Sequence, residues 1–135
     1  TLAPPTACVG FNELQKTFTS LHNEIRHLAN PASADFFSIA ADMEDHATNA
    51  PFVVRKTALM VENLRRILGA ELIVAAQAVD LREGVPLGKG TKVAYGLLRE
   101  KVQFLQEDRA MTDDLERAYE LVRSGLLLKV LKDEQ

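Results

Sequence analysis

The sequence predicts an all-α protein built as a bundle of long helices. Three observations predict it. Apolar residues recur at spacings of three and four through most of the 135 residues. No segment shows the clean apolar–polar alternation of a half-buried strand. Glycine and proline cluster in a few places, at Pro4-Pro5, Gly10, Pro31, Pro51, Gly84 to Gly90, and Gly125. We read residues 1–135 as a single helical domain, with an N-terminal extension over 1–11 and a tail over 126–135.

The first helix is expected from Asn12 to Leu28. Leu14, Phe18, Leu21, Ile25 and Leu28 form one apolar stripe, and Asn12 is placed to cap the first turn. Asn30-Pro31 ends it, because a residue before proline avoids the helical region. A loop follows to about Ile39. Helical pattern resumes near Ala40 and runs to about Leu81. A kink or break is expected near Asn49-Ala50, since Pro51 removes a backbone donor and crowds the preceding turn.

Beyond Pro51, Val54, Ala58, Val61, Leu68, Leu72, Ala75 and Val79 share one face, and Arg55, Glu62 and Arg66 another. Past Ile67 the helix is apolar almost all round, which predicts burial on several sides. A chain of this size has little material with which to surround it. The remaining cover is expected from other chains or from parts of the protein outside this sequence.

Arg82 to Gly90 reads as a loop. A third helix is expected from Thr91 to Val102, carrying Val93, Leu97, Leu98 and Val102. Phe104 to Met111 is a connector containing Glu107-Asp108-Arg109. The last clear helix starts at Asp113, where Asp113 and Glu116 have the spacing of a capping box. It ends at Ser124-Gly125, where glycine suits a left-handed C-terminal cap. The tail from Leu126 is amphipathic.

Composition narrows the function classes. The chain is 47% hydrophobic and 26% charged, as in soluble globular proteins. Its net charge is -3, and it has no long basic block, which argues against a nucleic-acid partner. The most apolar run, Ile67 to Val79, is too short for a membrane span and is interrupted by Glu71 and Gln77. The first ten residues have neither the basic start nor the apolar core of a targeting segment. Cys8 is the one cysteine, so no disulfide forms within the chain, in keeping with a reducing, cytoplasmic setting. Cys8 itself reads as a small apolar residue.

Few residues suggest chemistry. Gly88-Lys89-Gly90-Thr91 lacks the preceding strand and the full spacing of a phosphate-binding loop, and reads as a flexible helix entry. Asp42, Glu44, Asp45 and His46 include pairs at helical spacing, but no second histidine stands at a zinc-binding offset, and no metal site is expected. His22 and His27 share no helix face and read as surface or capping residues. Glu44 has two readings. It follows two alanines and precedes a mostly apolar helix, so partial burial would suit it to carrying a proton. Spacing alone favours the other reading, in which Asp42, Glu44 and Asp45 are simply stabilised at the positive end of a helix.

The ordered motifs resemble the C-terminal part of the histidine ammonia-lyases, in the aromatic amino acid lyase family. Pro31-Ala32-Ser33-Ala34-Asp35 is followed in register by Glu44-Asp45-His46. Then come Glu62-Asn63, Ile67-Leu68 and Gln77-Ala78-Val79-Asp80-Leu81-Arg82. Arg99-Glu100-Lys101-Val102, Glu107-Asp108-Arg109 and Leu121-Val122-Arg123-Ser124-Gly125 complete the set. The resemblance covers roughly residues 24–125.

The resemblance implies a largely helical fold and homotetrameric assembly. It implies non-oxidative elimination of ammonia from an aromatic amino acid, giving urocanate from histidine. The implied electrophile is a methylidene-imidazolone group formed from an internal Ala-Ser-Gly, which this chain lacks. By the resemblance, Glu44 is the one active-site residue carried here, near the substrate's imidazole and assisting proton handling. Met43 stands where the family usually has glutamine, and Asp42 where it has a neutral residue. Phenylalanine-selective relatives usually have Gln-Asp at Glu44-Asp45, which turns the reading toward histidine. The expectation is therefore a lyase fragment without activity of its own. The rival is a free-standing helical interaction module that has kept the scaffold without the chemistry.

Overall fold

The computed structural model describes residues 9–35, 38–41, 43–44, 47–82 and 84–133. Five helices carry the fold: α1 Leu14–Leu28, α2 Ala50–Leu81, α3 Lys89–Arg99, α4 Thr112–Arg123 and α5 Leu126–Asp133. A 3-10 turn, Gly10–Glu13, leads into α1, and another spans Ala32–Ala34. Among the described residues there is no strand beyond an isolated bridge at Ser38. The all-α expectation holds.

α2 is the spine, packed chiefly against α4 and α1, with a smaller contact to α3; α5 packs on α3 and α4. The core joins Phe11, Leu14, Ile73, Ala76, Leu98, Val102, Leu105, Ala118 and Leu121. Of the stripe read on α1, Leu14 is buried in this core and Phe18 packs on it, while Leu21, Ile25 and Leu28 are half-buried. Phe11, at the end of the expected extension, is buried too. His22 and His27 are exposed, as expected.

Several local expectations are corrected. No helix runs from Ala40. Ala40, Ala41 and Asn49 all have positive φ, which a right-handed helix cannot include. The boundary expected near Asn49-Ala50 is there, as a helix start rather than a kink: Pro51 sits in the first turn of α2, where its missing N–H would have had no helical partner. Asn12 caps nothing, because it lies inside the 3-10 turn. The capping box at Asp113 and Glu116 does not form. α4 begins at Thr112 with no side-chain cap, and Glu116 instead pairs with Arg66 of α2 at 2.5 Å. Gly125 does take the left-handed conformation, φ 72°, after α4.

The covered face of α2 also differs from the expected one. Gly69, Ala70, Ile73, Ala76 and Gln77 are buried, whereas Val54, Val61, Leu68 and Ala75 are exposed. Gly69 explains the choice. A Cβ there would lie 2.8 Å from the backbone nitrogen of Tyr119 and 3.0 Å from the carbonyl carbon of Ala118. Only glycine lets the α2 and α4 backbones approach so closely.

Two polar clasps fix the far end of α2. Gln77 is fully buried and bonds both backbone groups of Leu105. Asp80 accepts from Tyr95 and from Arg99, and Arg99 donates on to the Val102 carbonyl at 3.0 Å. The connector is held in turn by Arg109, which bonds the Gln103 and Phe104 carbonyls and the buried Asp114. Asp108 accepts from the backbone amides of Val9 and Gly10 at 2.8 and 2.9 Å.

Candidate active site

Glu44, the residue expected to take part in catalysis, lies on the loop between α1 and α2. It sits in a bend and is exposed, so the partial burial expected of it is not found within this chain. Nor does it stand in the first turn of a helix, since α2 begins only at Ala50. Stabilisation by a helix terminus is therefore not its local role. Met43 beside it is 84% exposed. Asp42, Asp45 and His46, which made up the rest of the acidic cluster, lie outside the described residues, as does Cys8.

Backbone bonds shape the loop. The Met43 amide donates to the Ala40 carbonyl at 3.1 Å and the Glu44 amide to the Ile39 carbonyl at 3.4 Å. Asn49 closes the loop from its far end. Its Nδ2 donates to the Asp35 carbonyl at 2.9 Å and to the Ala32 carbonyl at 3.4 Å. Lys56 of α2 donates to the Asn30 carbonyl. The loop is thus tied to α2 at both ends, with Glu44 presented outward between them.

Other features carry structure. Gly88 precedes α3 in an extended conformation and Lys89 opens the helix, so the glycine-rich segment is a helix entry, as read. An open groove between α3, α4 and α5 is lined by Glu100, Lys101, Glu116, Arg117 and Glu120, carries mixed charge and does not include Glu44. Among the described residues no group of three or more His, Cys, Asp or Glu side chains could hold a metal ion, and no helix is long and apolar enough to cross a membrane.

The methylidene-imidazolone group has no precursor here. Ala32-Ser33 runs into Ala34, and Ser124-Gly125 follows Arg123. Ser124 and Gly125 serve instead as the end of α4, with the Ser124 hydroxyl donating to the Leu121 carbonyl. With no Ala-Ser-Gly among its 135 residues, this chain does not fit the group.

What the helices, the braced loop and the ordered motifs define is part of a lyase scaffold, and comparison with known proteins agrees. The aromatic amino acid lyase family profile matches residues 1–100, extending ahead of the motifs. The chain is 39% identical over 120 residues to the histidine ammonia-lyase of Caldanaerobacter subterraneus subsp. tengcongensis, covering 89% of this chain and 24% of that protein. It superposes on ergothionase of Treponema denticola, an ergothioneine-degrading enzyme solved with desmethyl-ergothioneine sulfonic acid. That match has a TM-score of 0.88 and 47% identity, over 94% of this chain and 26% of the other. Histidine ammonia-lyase of Trypanosoma cruzi gives a TM-score of 0.89 and 30% identity, over 98% and 26%. The chain belongs to the aromatic amino acid lyase family. It spans about a quarter of the length of the curated relatives it matches.

Proposed function

We propose that the chain is the C-terminal helical part of a cytoplasmic histidine ammonia-lyase, which eliminates ammonia from L-histidine to give urocanate. In this reading residues 1–135 form one helical unit and contribute Glu44 to a site completed by the rest of the enzyme. The carrying observation is Glu44 itself, exposed on a loop tied at both ends, at the position where the family resemblance places a glutamate beside the imidazole. The electrophile and most substrate contacts belong to the remainder of the protein, so the isolated chain has no turnover.

The exposed apolar face of α2 supports homo-oligomeric assembly. Val54, Val61, Leu64 and Leu68 are open to solvent, and an uncovered stripe of this kind marks an interaction surface. The same stripe would serve a free-standing interaction module derived from the scaffold, the rival reading from a different class.

A second substrate reading rests on the 47% identity to ergothionase. Ergothioneine keeps the imidazole but carries a trimethylammonium group and a sulfur, so its elimination would expel trimethylamine. Met43, apolar where the histidine enzymes usually have glutamine, is compatible with that substrate.

The test offers both compounds to the full-length enzyme and, separately, to the 135-residue chain. Urocanate and ammonia from histidine with the full-length enzyme, and neither from the chain, support the leading reading. Turnover of ergothioneine in place of histidine moves the substrate, and turnover of neither favours the interaction module.

A further inference from the structure

We infer that Asn49 is a positioning residue for Glu44, acting through its side-chain amide and its left-handed backbone; this rests on the catalytic reading of Glu44. Among the described residues, every non-glycine residue with positive φ lies in the one loop that carries Glu44: Ala40 at 49°, Ala41 at 53° and Asn49 at 54°. Such conformations persist only where surrounding contacts hold them. Around Ala40 the bonds are backbone ones, from Met43 to Ala40 and from Glu44 to Ile39; at the loop's ends Asn49 supplies them. Its amide reaches back 14 residues to the Asp35 carbonyl, and also meets the Ala32 carbonyl, so the two ends of the loop are latched across Glu44.

The residue type is required twice. Asparagine tolerates the left-handed region better than most side chains, and its Nδ2 donates to two carbonyls at once, which aspartate could not do. Asn49 also stands where a helix cap would be, immediately before α2, yet its side chain makes no cap bond. It has turned from the helix amides to the loop. Among the described residues of the loop, Ile39, Ala40, Ala41, Met43, Glu44 and Thr48 are all exposed. Loss of the latch should therefore move Glu44 without unfolding the bundle.

The experiment uses the full-length lyase, with turnover and melting temperature measured for each variant. Asn49→Gly keeps the backbone conformation and removes the amide; Asn49→Ala removes both. Misplacing a catalytic group by about an ångström costs on the order of 100-fold in rate. Both variants are expected to lose roughly 10- to 100-fold in kcat, with melting temperatures close to the parent's. Because the latch acts through Glu44, adding Asn49→Ala to Glu44→Gln should cost nothing further. Fully active Asn49 variants beside an impaired Glu44→Gln, or losses that multiply in the double variant, overturn this inference alone. A fully active Glu44→Gln overturns the catalytic reading of Glu44, and the inference with it.

Discussion

The Gln77 side chain pairs with the backbone of Leu105 through both of its polar atoms. Nε2 donates to the Leu105 carbonyl at 2.9 Å, and Oε1 accepts from the Leu105 amide at 3.0 Å. Both residues are buried, so neither partner has water as an alternative. Gln77→Leu leaves two buried backbone groups unpaired, at about 1–3 kcal/mol each. Gln77→Glu keeps the acceptor but sets a carboxylate against the Leu105 carbonyl, and should be at least as costly. Urea denaturation of the chain measures both; unchanged midpoints would contradict the clasp.

Gly69 sets the spacing of α2 and α4. In an exposed helix Gly→Ala gains about 1 kcal/mol. Here the added methyl would stand 2.8 Å from the Tyr119 nitrogen, in backbone that has no rotamer to yield. Overpacking typically costs about 1–3 kcal/mol, so Gly69→Ala should lower the melting temperature. A stabilised variant would show that the helices separate freely.

The same seam predicts a pH dependence. The Tyr119 hydroxyl donates to Glu62 at 2.5 Å. This bond, aided by Arg65, holds the Glu62 carboxyl below the usual carboxylate range, although partial burial opposes it. The bond to Glu62, with burial, raises the Tyr119 phenol above its ordinary value. A depressed carboxyl contributes stability that is complete above its unfolded pKa and is lost as pH falls through the folded one. A raised phenol contributes stability that is complete below about pH 10 and is lost as pH rises through the folded value. Tyr119→Phe should therefore lose less stability than the parent below about pH 4.3 and above about pH 10. Parallel pH–stability curves for the two proteins would contradict this.

The uncovered stripe on α2 predicts assembly. Leu64→Glu and Leu68→Glu place charges on that face, away from the core. Light scattering of the full-length protein should show the parent as an oligomer and the double variant as a smaller species. A monomeric parent would remove the oligomer from the account.

Much of this architecture was legible in the chain. The α1 stripe, the end of that helix at Asn30-Pro31 and the left-handed Gly125 follow from spacing and backbone chemistry alone. The non-helical segment ahead of α2 was not, because alanine is a strong helix former and nothing in the sequence signals the positive φ that Ala40 and Ala41 adopt. The covered face of α2 was ambiguous because apolar residues occur on more than one side, and the choice turns on how closely α4 can approach Gly69. Gln77 carried a readable signal, since an amide in so apolar a run requires a buried partner. The partner, Leu105, lies in a connector with no periodicity to place it. Glu44 stood out from its neighbours in the sequence, but its active-site role came through the family resemblance; spacing suggested a helix start that the structure does not form.

The central claim is that this chain supplies Glu44 to a lyase active site. Its most direct measurement is kcat of full-length Glu44→Gln on histidine, beside Asp45→Asn as the neighbouring control. A group in proton transfer contributes a factor of about 10² to 10⁴ in rate. The account predicts a fall of that size for Glu44→Gln, with an unchanged melting temperature and a near-normal Asp45→Asn. Small, equal effects from both substitutions would contradict it.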